Sequence, residues 1–183
     1  MTYPRAPESR VDGLARGGVL WVLMDSIGDP LSGDGFIQLA DGTLRWGRYG
    51  AAGLLVRHVD PDTGASSFFV ALRSELTHMG GTWAIPGGAL ASSESPIEAA
   101  VREFREEVGL ALSTERVAQI HEDDHGGWSY WTVVVDVDEP FPLPTTINWE
   151  TAEVRWVRED ELPGLALLKP FRATMVRLGF LLG

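Results

Sequence analysis

The pattern of apolar and polar positions along the chain predicts a fold built mainly from β-strands, with two helices. Short apolar or alternating segments, bounded by glycine, proline or aspartate, are typical of strands. Segments of this kind lie at residues 19–24, 36–39, 43–46, 51–59, 67–73, 116–121, 130–137 and 154–157.

Turn-forming residues predict how neighbouring strands are connected. Asp41 and Gly42 lie between 36–39 and 43–46, and an Asp-Gly pair favours a tight hairpin turn. A segment rich in aspartate, proline and glycine at 60–64 joins the next two strands in the same way. We therefore expect two successive antiparallel hairpins.

The central helix is predicted from clear signals at both of its ends. Ser95 and Glu98 form a capping-box pattern, Pro96 occupies the first helical position, and Gly109 is placed to end the helix. The apolar stripe expected to face the core consists of Ile97, Ala100, Val101, Phe104 and Val108.

A second helix is predicted at 170–182, near the C-terminus. Phe171, Met175, Leu178 and Leu182 follow a helical spacing in this segment. We expect the helix to pack its apolar side on the sheet.

Composition and charge narrow the range of partners. The chain has 183 residues, of which 44% are hydrophobic and 22% charged, as in ordinary globular domains. Its formal net charge of −11 repels a nucleic-acid polymer, although divalent cations could bridge a small anion to local carboxylates. The absence of cysteine excludes disulfides and thiolate metal sites. Without a membrane-length apolar run or a cleavable signal pattern, we expect a cytoplasmic protein with no membrane partner.

Three glutamates of the central helix are candidates for chemistry. Glu103, Glu106 and Glu107 share one helical stripe. Their repulsion would weaken an isolated helix unless cations lie among them, and oxygen-rich carboxylate sites suit Mg²⁺ or Mn²⁺. A bare spacing of this kind is more often a solvated acidic surface, so it decides little by itself.

The residues around the three glutamates change this interpretation. Five residues separate Gly88 from Glu94, and seven more separate Glu94 from the sequence Arg-Glu-Phe-Arg-Glu-Glu-Val-Gly-Leu at 102–110. This arrangement resembles the complete Nudix box, G-x5-E-x7-R-E-U-x-E-E-x-G-U, in which U is a bulky apolar residue. Every specified position is filled, a chance event on the order of one in a million by composition. The preceding Trp-Ala-Ile-Pro-Gly-Gly at 83–88 is similar to the segment that introduces the box in MutT-type members.

The resemblance implies a fold and a domain division. A Nudix-type α+β fold is an α/β/α sandwich with a mixed central sheet, expected here at residues 49–183. Residues 1–48 lie outside the resemblance and are expected to form an N-terminal strand and hairpin extension packed on the same domain. This extension could cover the sheet or form a homodimer contact.

The resemblance also implies roles for the acidic residues. Glu106 and Glu107 match the metal-binding pair of the family. Glu103 matches a carboxylate that either completes the metal site or deprotonates water. Arg102 matches the arginine that orients these carboxylates, and Glu94 is its expected partner.

Two glycines and two glutamates outside the helix complete the predicted metal and phosphate site. Gly87 or Gly88 would offer a carbonyl ligand, and glycine lets the backbone approach a metal or a substrate phosphate closely. MutT-type members often draw a further carboxylate from beyond the box, for which Glu150 and Glu153 are candidates, although each is otherwise an ordinary surface glutamate. A second polar cluster is interpreted as a solvated turn without a role: His121, Asp123, Asp124 and His125.

Aromatic residues are candidates for binding a base. Trp128, Tyr130, Trp131 and Trp149 could provide a stacking face, with Trp149 favoured because prolines make its segment irregular. Aromatic residues in strands more often belong to the core. Gly126 and Trp128 replace the proline of the ADP-ribose branch and the tyrosine of the dinucleoside-polyphosphate branch, so neither branch signature matches.

The sequence leaves three functions open. The main hypothesis is Mg²⁺-dependent hydrolysis of a nucleoside triphosphate, including oxidised or otherwise modified ones, to monophosphate and pyrophosphate. The alternative within the enzyme class is an ADP-ribose or other nucleoside-diphosphate-linked substrate. A Nudix-fold nucleotide sensor without turnover is the alternative of another class, although a binder need not keep every acidic position.

Overall fold

The computed structural model describes residues 31–113 and 116–182. The predicted strand at 19–24 lies outside the described residues. The first described elements form a separate two-stranded antiparallel sheet, β1 (Phe36–Gln38) and β2 (Leu44–Trp46). The Phe36 and Trp46 rings pair across this sheet in an edge-to-face contact at 5.0 Å. The predicted N-terminal hairpin is thus confirmed.

Within the described residues, a mixed sheet of seven strands forms the centre of the fold. The strands are β3 (Ala51–Val59), β4 (Ser66–Arg73), β5 (Trp83–Ala84), β6 (Gly87–Ala89), β7 (Val117–Asp124), β8 (Ser129–Val137) and β9 (Thr151–Arg158). Their order is β5-β4-β3-β8-β7, with β6 also on β3 and β9 also on β4. The β3 and β8 strands run parallel, and the other pairs of this sheet are antiparallel.

The short strands β5 and β6 lie where the longer strands β3 and β4 separate. The pairing of β3 with β4 extends only over Val56 to Val59 on the β3 side. Beyond it, β4 pairs with β5 and β3 pairs with β6 through Ala51 to Gly53. The glycine segment of the box is therefore part of the sheet, at a split between its strands.

One helix covers each face of the sheet, which confirms the predicted α/β/α sandwich. The α1 helix (Pro96–Val108) packs on one face, and α2 (Lys169–Arg177) on the other. Successive residues of the central strand alternate between the two layers, as the pleat requires. Leu54 faces the α1 layer with Phe104, and Leu55 faces the α2 layer with Phe171 and Met175.

The ends of α1 follow their predicted signals closely. The Ser95 hydroxyl accepts a hydrogen bond from the backbone N–H of Glu98, and the Glu98 carboxylate accepts one from the N–H of Ser95. Gly109 ends the helix in the left-handed conformation with φ 77°. Ala99, which the predicted apolar stripe omits, is also buried. Local capping thus fixes the position of the acidic stripe along the chain.

Two sequence predictions are wrong in their extent. The C-terminal helix ends at Arg177 rather than Leu182, because Gly179 takes φ 79° and breaks the helical path. The β7 strand continues to Asp124, where it pairs with Ser129 of β8. His121 and Asp123 are therefore strand residues, and the predicted solvated turn begins only after Asp124.

Candidate active site

Glu107 is buried beside the short strand β6. The residue is 8% exposed. Its Oε1 accepts a hydrogen bond from the Gly87 backbone N–H at 2.8 Å, and its Oε2 accepts one from the Thr151 hydroxyl at 3.1 Å. Burial outweighs these hydrogen bonds and raises the pKa of Glu107 to about 7. A nearby cation would favour the charged form of this carboxylate.

Arg102 connects the acidic helix to the loop before it. Its Nε and Nη2 donate to the two oxygens of Glu94 at 2.8 and 2.9 Å, and Nη2 also donates to the Ala89 carbonyl at 2.9 Å. Nη1 donates to Glu103 at 2.7 Å and to Glu106 at 3.4 Å. The paired hydrogen bonds with Glu94 are the main cause that raises the pKa of Arg102 and lowers that of Glu94. Arg102 therefore orients the acidic stripe while it is held by Glu94.

Glu103 lies directly against Gly88. A Cβ built at residue 88 would come within 2.5 Å of the Glu103 carboxyl carbon, so a side chain there would displace the carboxylate. Burial raises the pKa of Glu103, in opposition to Arg102 and with a smaller contribution from the charges of Glu106 and Glu150. Glu106 is the outermost of the three helix glutamates, with 52% of its side chain exposed.

The two candidate carboxylates beyond the box occupy different places. The charge of Glu150 makes a small contribution to the raised pKa of Glu103 and Glu107, so its carboxylate lies within electrostatic reach of them. Glu153 instead pairs with Arg155 on β9. Strand alternation puts both of these side chains on the face of Val157, which belongs to the α2 layer. Glu150 is therefore the better candidate for a further carboxylate near Glu103 and Glu107, since Glu153 faces the α2 layer.

A cavity of about 520 Å³ adjoins the C-terminal end of α1. Residues 106–110 line one side of it, and the loop at 144–148 lines the other. The loop is held to the helix by a hydrogen bond from the Asn148 N–H to the Glu107 carbonyl at 3.1 Å. Trp149 follows this loop and is 67% exposed. An exposed ring therefore lies next in sequence to the lining of a cavity that reaches the acidic residues.

Trp128 occupies a different environment, against the N-terminal hairpin. Its indole N–H donates to the carbonyls of Trp46 and Gly47 at 3.1 and 2.9 Å. The guanidinium of Arg45 lies 5.6 Å from the centre of its ring. These contacts give Trp128 a structural role, since they attach β2 to the turn between β7 and β8.

The polar cluster at the end of β7 is attached to α2. Oδ1 of Asp123 forms an ion pair with Nη1 of Arg177 at 2.7 Å, and Nε2 of His125 lies 3.7 Å from the other oxygen of the same carboxylate. These contacts join an edge of the sheet to the helix that covers it. They give the cluster a structural role and no part in the acidic site.

Thr151 carries no signal in the sequence as a site residue. It holds Glu107, but only the fold brings these residues together. Tyr130 is a candidate stacking aromatic in the sequence, and the structure places its hydroxyl against Gly53, where a Cβ would overlap it. Burial, with a smaller contribution from the charge of Glu107, raises the pKa of Tyr130 above its ordinary value.

The carboxylates of α1 are suitable ligands for a divalent metal, although they do not converge on one point. Among the described residues, no three acidic or histidine side chains are arranged to hold a metal ion. Arg102 binds one oxygen of Glu103, and its remaining hydrogen bonds go mainly to Glu94. Burial raises the pKa of Glu103 and Glu107, because their charged forms lose contact with water. Carboxylates of this kind are the ligands that hard divalent cations prefer.

Comparison with known proteins identifies the family. The NUDIX domain model matches residues 51–179, so the chain belongs to the Nudix family of hydrolases. Members of this family act on small nucleotide substrates and generally use divalent metal ions. In the part of the chain that is described, no helix is long and apolar enough to cross a membrane.

Individual relatives support this assignment. The Mycobacterium tuberculosis protein named "Putative 8-oxo-dGTP diphosphatase 3" is 43% identical over 152 residues, which are 80% of this chain and 69% of that protein. A Bifidobacterium longum protein named "Nucleoside triphosphate pyrophosphatase/Nudix hydrolase fusion protein" is 35% identical over 93% of this chain and 35% of its own length. The crystal structure of a Nudix hydrolase from M. smegmatis is 42% identical, covers 80% of this chain and 92% of its own, and superposes with a TM-score of 0.66.

Proposed function

We propose that this Nudix hydrolase converts a nucleoside triphosphate to the monophosphate and pyrophosphate, with Mg²⁺ as its metal. The observation that supports this proposal is the acidic cluster of Glu103, Glu106 and Glu107 on α1. Every residue of the box is present. Arg102 donates to Glu103, the Gly87 N–H donates to Glu107, and Gly88 leaves space for the Glu103 carboxylate. A relative named as an 8-oxo-dGTP diphosphatase supports a purine deoxynucleotide, including an oxidised one, as the substrate.

The residues that would hold Mg²⁺ are those of the acidic stripe. Glu103, Glu106 and Glu107 would supply carboxylate oxygens, with the Gly87 carbonyl and Glu150 as further ligands. When bound, Mg²⁺ neutralises charge on the phosphate oxygens and lowers the pKa of water.

The side chains of the cluster would divide the remaining work. Glu103, whose pKa is raised by burial, is suited to take the proton of the attacking water. The water oxygen joins phosphorus, the bridge between the α- and β-phosphates breaks, and the bridging oxygen leaves on the other product. Arg102 keeps Glu103 and Glu106 in place through its Nη1 contacts. Gly88 leaves the space that the Glu103 carboxylate occupies.

The cavity beside α1 is the proposed place of the base. It lies between the acidic helix and the loop at 144–148, and the exposed Trp149 follows that loop. A base stacked on this ring would extend away from phosphates held at Glu106 and Glu107. We therefore assign base stacking to Trp149 and not to Trp128.

A substrate panel tests the proposed function. The panel contains the common nucleoside triphosphates, 8-oxo-dGTP, and ADP-ribose as the alternative substrate, each assayed for monophosphate and pyrophosphate with Mg²⁺. We expect turnover of at least one triphosphate, its loss in EDTA, and its return with excess Mg²⁺. Full activity in EDTA would exclude the metal mechanism. Tight nucleotide binding without turnover of any compound would instead establish a sensor.

Labelled water then locates the attack. Hydrolysis in ¹⁸O-enriched water places the label in the monophosphate if the α-phosphorus is attacked, and in pyrophosphate if the β-phosphorus is attacked. Either result is compatible with the products proposed here. Release of inorganic phosphate and a diphosphate instead would contradict them.

A further inference from the structure

The Tyr130 hydroxyl lies on the α2 face of the sheet, across the backbone of Gly53 and Gly87 from the Glu107 carboxylate. Tyr130 belongs to β8, whose parallel pairing with β3 places it one strand from Gly53. Its hydroxyl covers Gly53 so closely that a Cβ at residue 53 would overlap it. Gly53 in turn pairs with Gly87, whose N–H donates to Glu107. Since neighbouring strands lie about 4.8 Å apart, the hydroxyl and the Glu107 carboxylate flank the same short piece of backbone.

The two glycines create the space that this arrangement needs. A Cβ at residue 87 would come within 2.6 Å of the Gly53 Cα, so neither position admits a side chain without displacement of its neighbour. Neither glycine has the positive φ that would itself require this residue type. Close approach therefore explains both, and at Gly53 the nearest group is the Tyr130 hydroxyl.

This hydroxyl is left without a protein partner. Among the described residues, none forms a hydrogen bond with it, whereas the indole N–H groups of Trp128 and Trp156 both donate to carbonyls. In the described part of the chain, the fully buried side-chain polar atoms that lack a hydrogen bond are Nε of Arg45 and Nε2 of His121, and the Tyr130 hydroxyl is not one of them. It therefore keeps at least a small exposed surface within a partly buried residue. Polar groups in such positions normally have a hydrogen-bond partner, from the protein, water or a ligand.

The charges around the hydroxyl indicate what kind of ligand it meets. The side chains of Glu103, Glu107 and Arg73 all act on it electrostatically. A tyrosine hydroxyl with an ordinary pKa near 10 is protonated at neutral pH and can donate. Phosphates held at Glu107 under the proposed function would present strong acceptors next to the Gly53 and Gly87 backbone that this hydroxyl covers.

We propose that the Tyr130 hydroxyl donates a hydrogen bond to a phosphate oxygen of the bound nucleotide. This proposal rests on the proposed nucleotide hydrolysis. It makes Tyr130 a substrate-binding residue contributed by β8, outside the box. The contact recognises the polyphosphate, which all nucleoside triphosphates share, and does not discriminate among bases.

The substitution Tyr130→Phe tests the contact, because it removes only the hydroxyl. The probes are the α,β-imido analogues of dGTP and dCTP with Mg²⁺, measured by calorimetry. A lost hydrogen bond to a charged group weakens binding roughly ten- to hundredfold, and we expect the same factor for both analogues. Tyr49→Phe is the matched control, since Tyr49 is 44% exposed and we expect no change there.

The outcomes separate this inference from the proposed function. Binding of both analogues by Tyr130→Phe within twofold of wild type would overturn the contact, as would a loss confined to one base. A wild-type protein that binds neither analogue and hydrolyses no triphosphate would instead overturn the proposed function. If Tyr130→Phe lowers the melting temperature, 4-aminophenylalanine at residue 130 restores a donor. Recovered affinity would support the contact, and unrecovered affinity in a folded protein would reject it.

Discussion

Glu107 is the residue whose surroundings make the sharpest functional test. Glutamine at this position can still accept from the Gly87 N–H and meet the Thr151 hydroxyl with its amide, so Glu107→Gln should keep the fold. It removes a charge from the proposed metal site. We expect kcat with Mg²⁺ to fall at least about a hundredfold, with little change in the melting temperature.

Glu153→Gln is the matched control for this change. Glu153 lies on the opposite face of the sheet and pairs with Arg155, so its loss should leave kcat unchanged. A Glu107→Gln protein as active as wild type would show that this carboxylate is no metal ligand.

Gly88 gives a second test at the residue scale, through the space it leaves. Alanine there would place its Cβ against the Glu103 carboxylate, which can swing away on its flexible side chain. We therefore expect Gly88→Ala to fold but to lose roughly a hundredfold in kcat, because displacement of a reacting group by about 1 Å has that effect. Gly164→Ala is the control, since no atom lies within 4 Å of a Cβ there. Equal activity of the two variants would contradict a role for the Glu103 position.

Among the elements, α1 could be predicted from the sequence almost to the residue, and β5 and β6 could not. Ser95, Pro96 and Gly109 act on their own helix ends, so their signals are local. The strands β5 and β6 contain only two and three residues, and they exist because β3 and β4 part beside them. Pairing between distant segments leaves no periodicity in so short a stretch.

The candidate site divides in the same way between local and distant signals. The box residues lie within one loop and helix, so spacing alone brings them together. The choice between Glu150 and Glu153 depends on the pairing of β9 with β4, whose register shifts between Leu72 and Arg73. That irregularity has no signature in the sequence.

The hairpin and the loop before β9 lead to a test at the element scale. Trp149→Ala should raise KM roughly fivefold to a hundredfold on the best triphosphate without lowering the melting temperature, because the ring is exposed and base stacking contributes about 1–3 kcal/mol. Trp128→Ala is the contrasting variant. It removes the hydrogen bonds to Trp46 and Gly47, so its melting temperature should fall while the KM of the folded protein is kept. A wild-type KM in Trp149→Ala would place base recognition elsewhere.

At the scale of the whole molecule, acidity and fold are linked through the metal. The net charge of −11 disfavours anionic ligands, and two of the acidic residues that contribute to it, Glu103 and Glu107 of α1, are partly or fully buried in the sandwich. Composition alone predicts that the protein binds cations, but it does not show where they bind. Because burial disfavours the charged forms of Glu103 and Glu107, these two carboxylates are where a bound cation would stabilise the fold most.

The stability of the metal-free protein should therefore depend on pH in an unusual direction. Since the pKa of Glu107 is raised from 4.5 to about 7, an unfolded chain loses this proton first as pH rises. The native state is thus destabilised progressively as the pH rises from 4.5 to about 7. The raised pKa of Glu103 acts in the same direction. Glu94, whose pKa is lowered, is ionised in both states throughout this range and adds little change.

We expect the melting temperature in EDTA to fall by roughly 5 to 10 °C between about pH 5 and pH 8, from a loss of about 3 kcal/mol. The proposed Mg²⁺ site needs ionised carboxylates, so Mg²⁺ should restore stability near pH 8, by about 2.7 kcal/mol at a hundred times its Kd, and do little near pH 5. Glu107→Gln carries no titrating group at this position, so its melting temperature should change less with pH and respond less to Mg²⁺. Thermal melting of both proteins across this pH range, with and without Mg²⁺, measures all of these effects. A wild-type protein that becomes more stable from pH 5 to pH 8 in EDTA would show that Glu107 is already ionised without a metal.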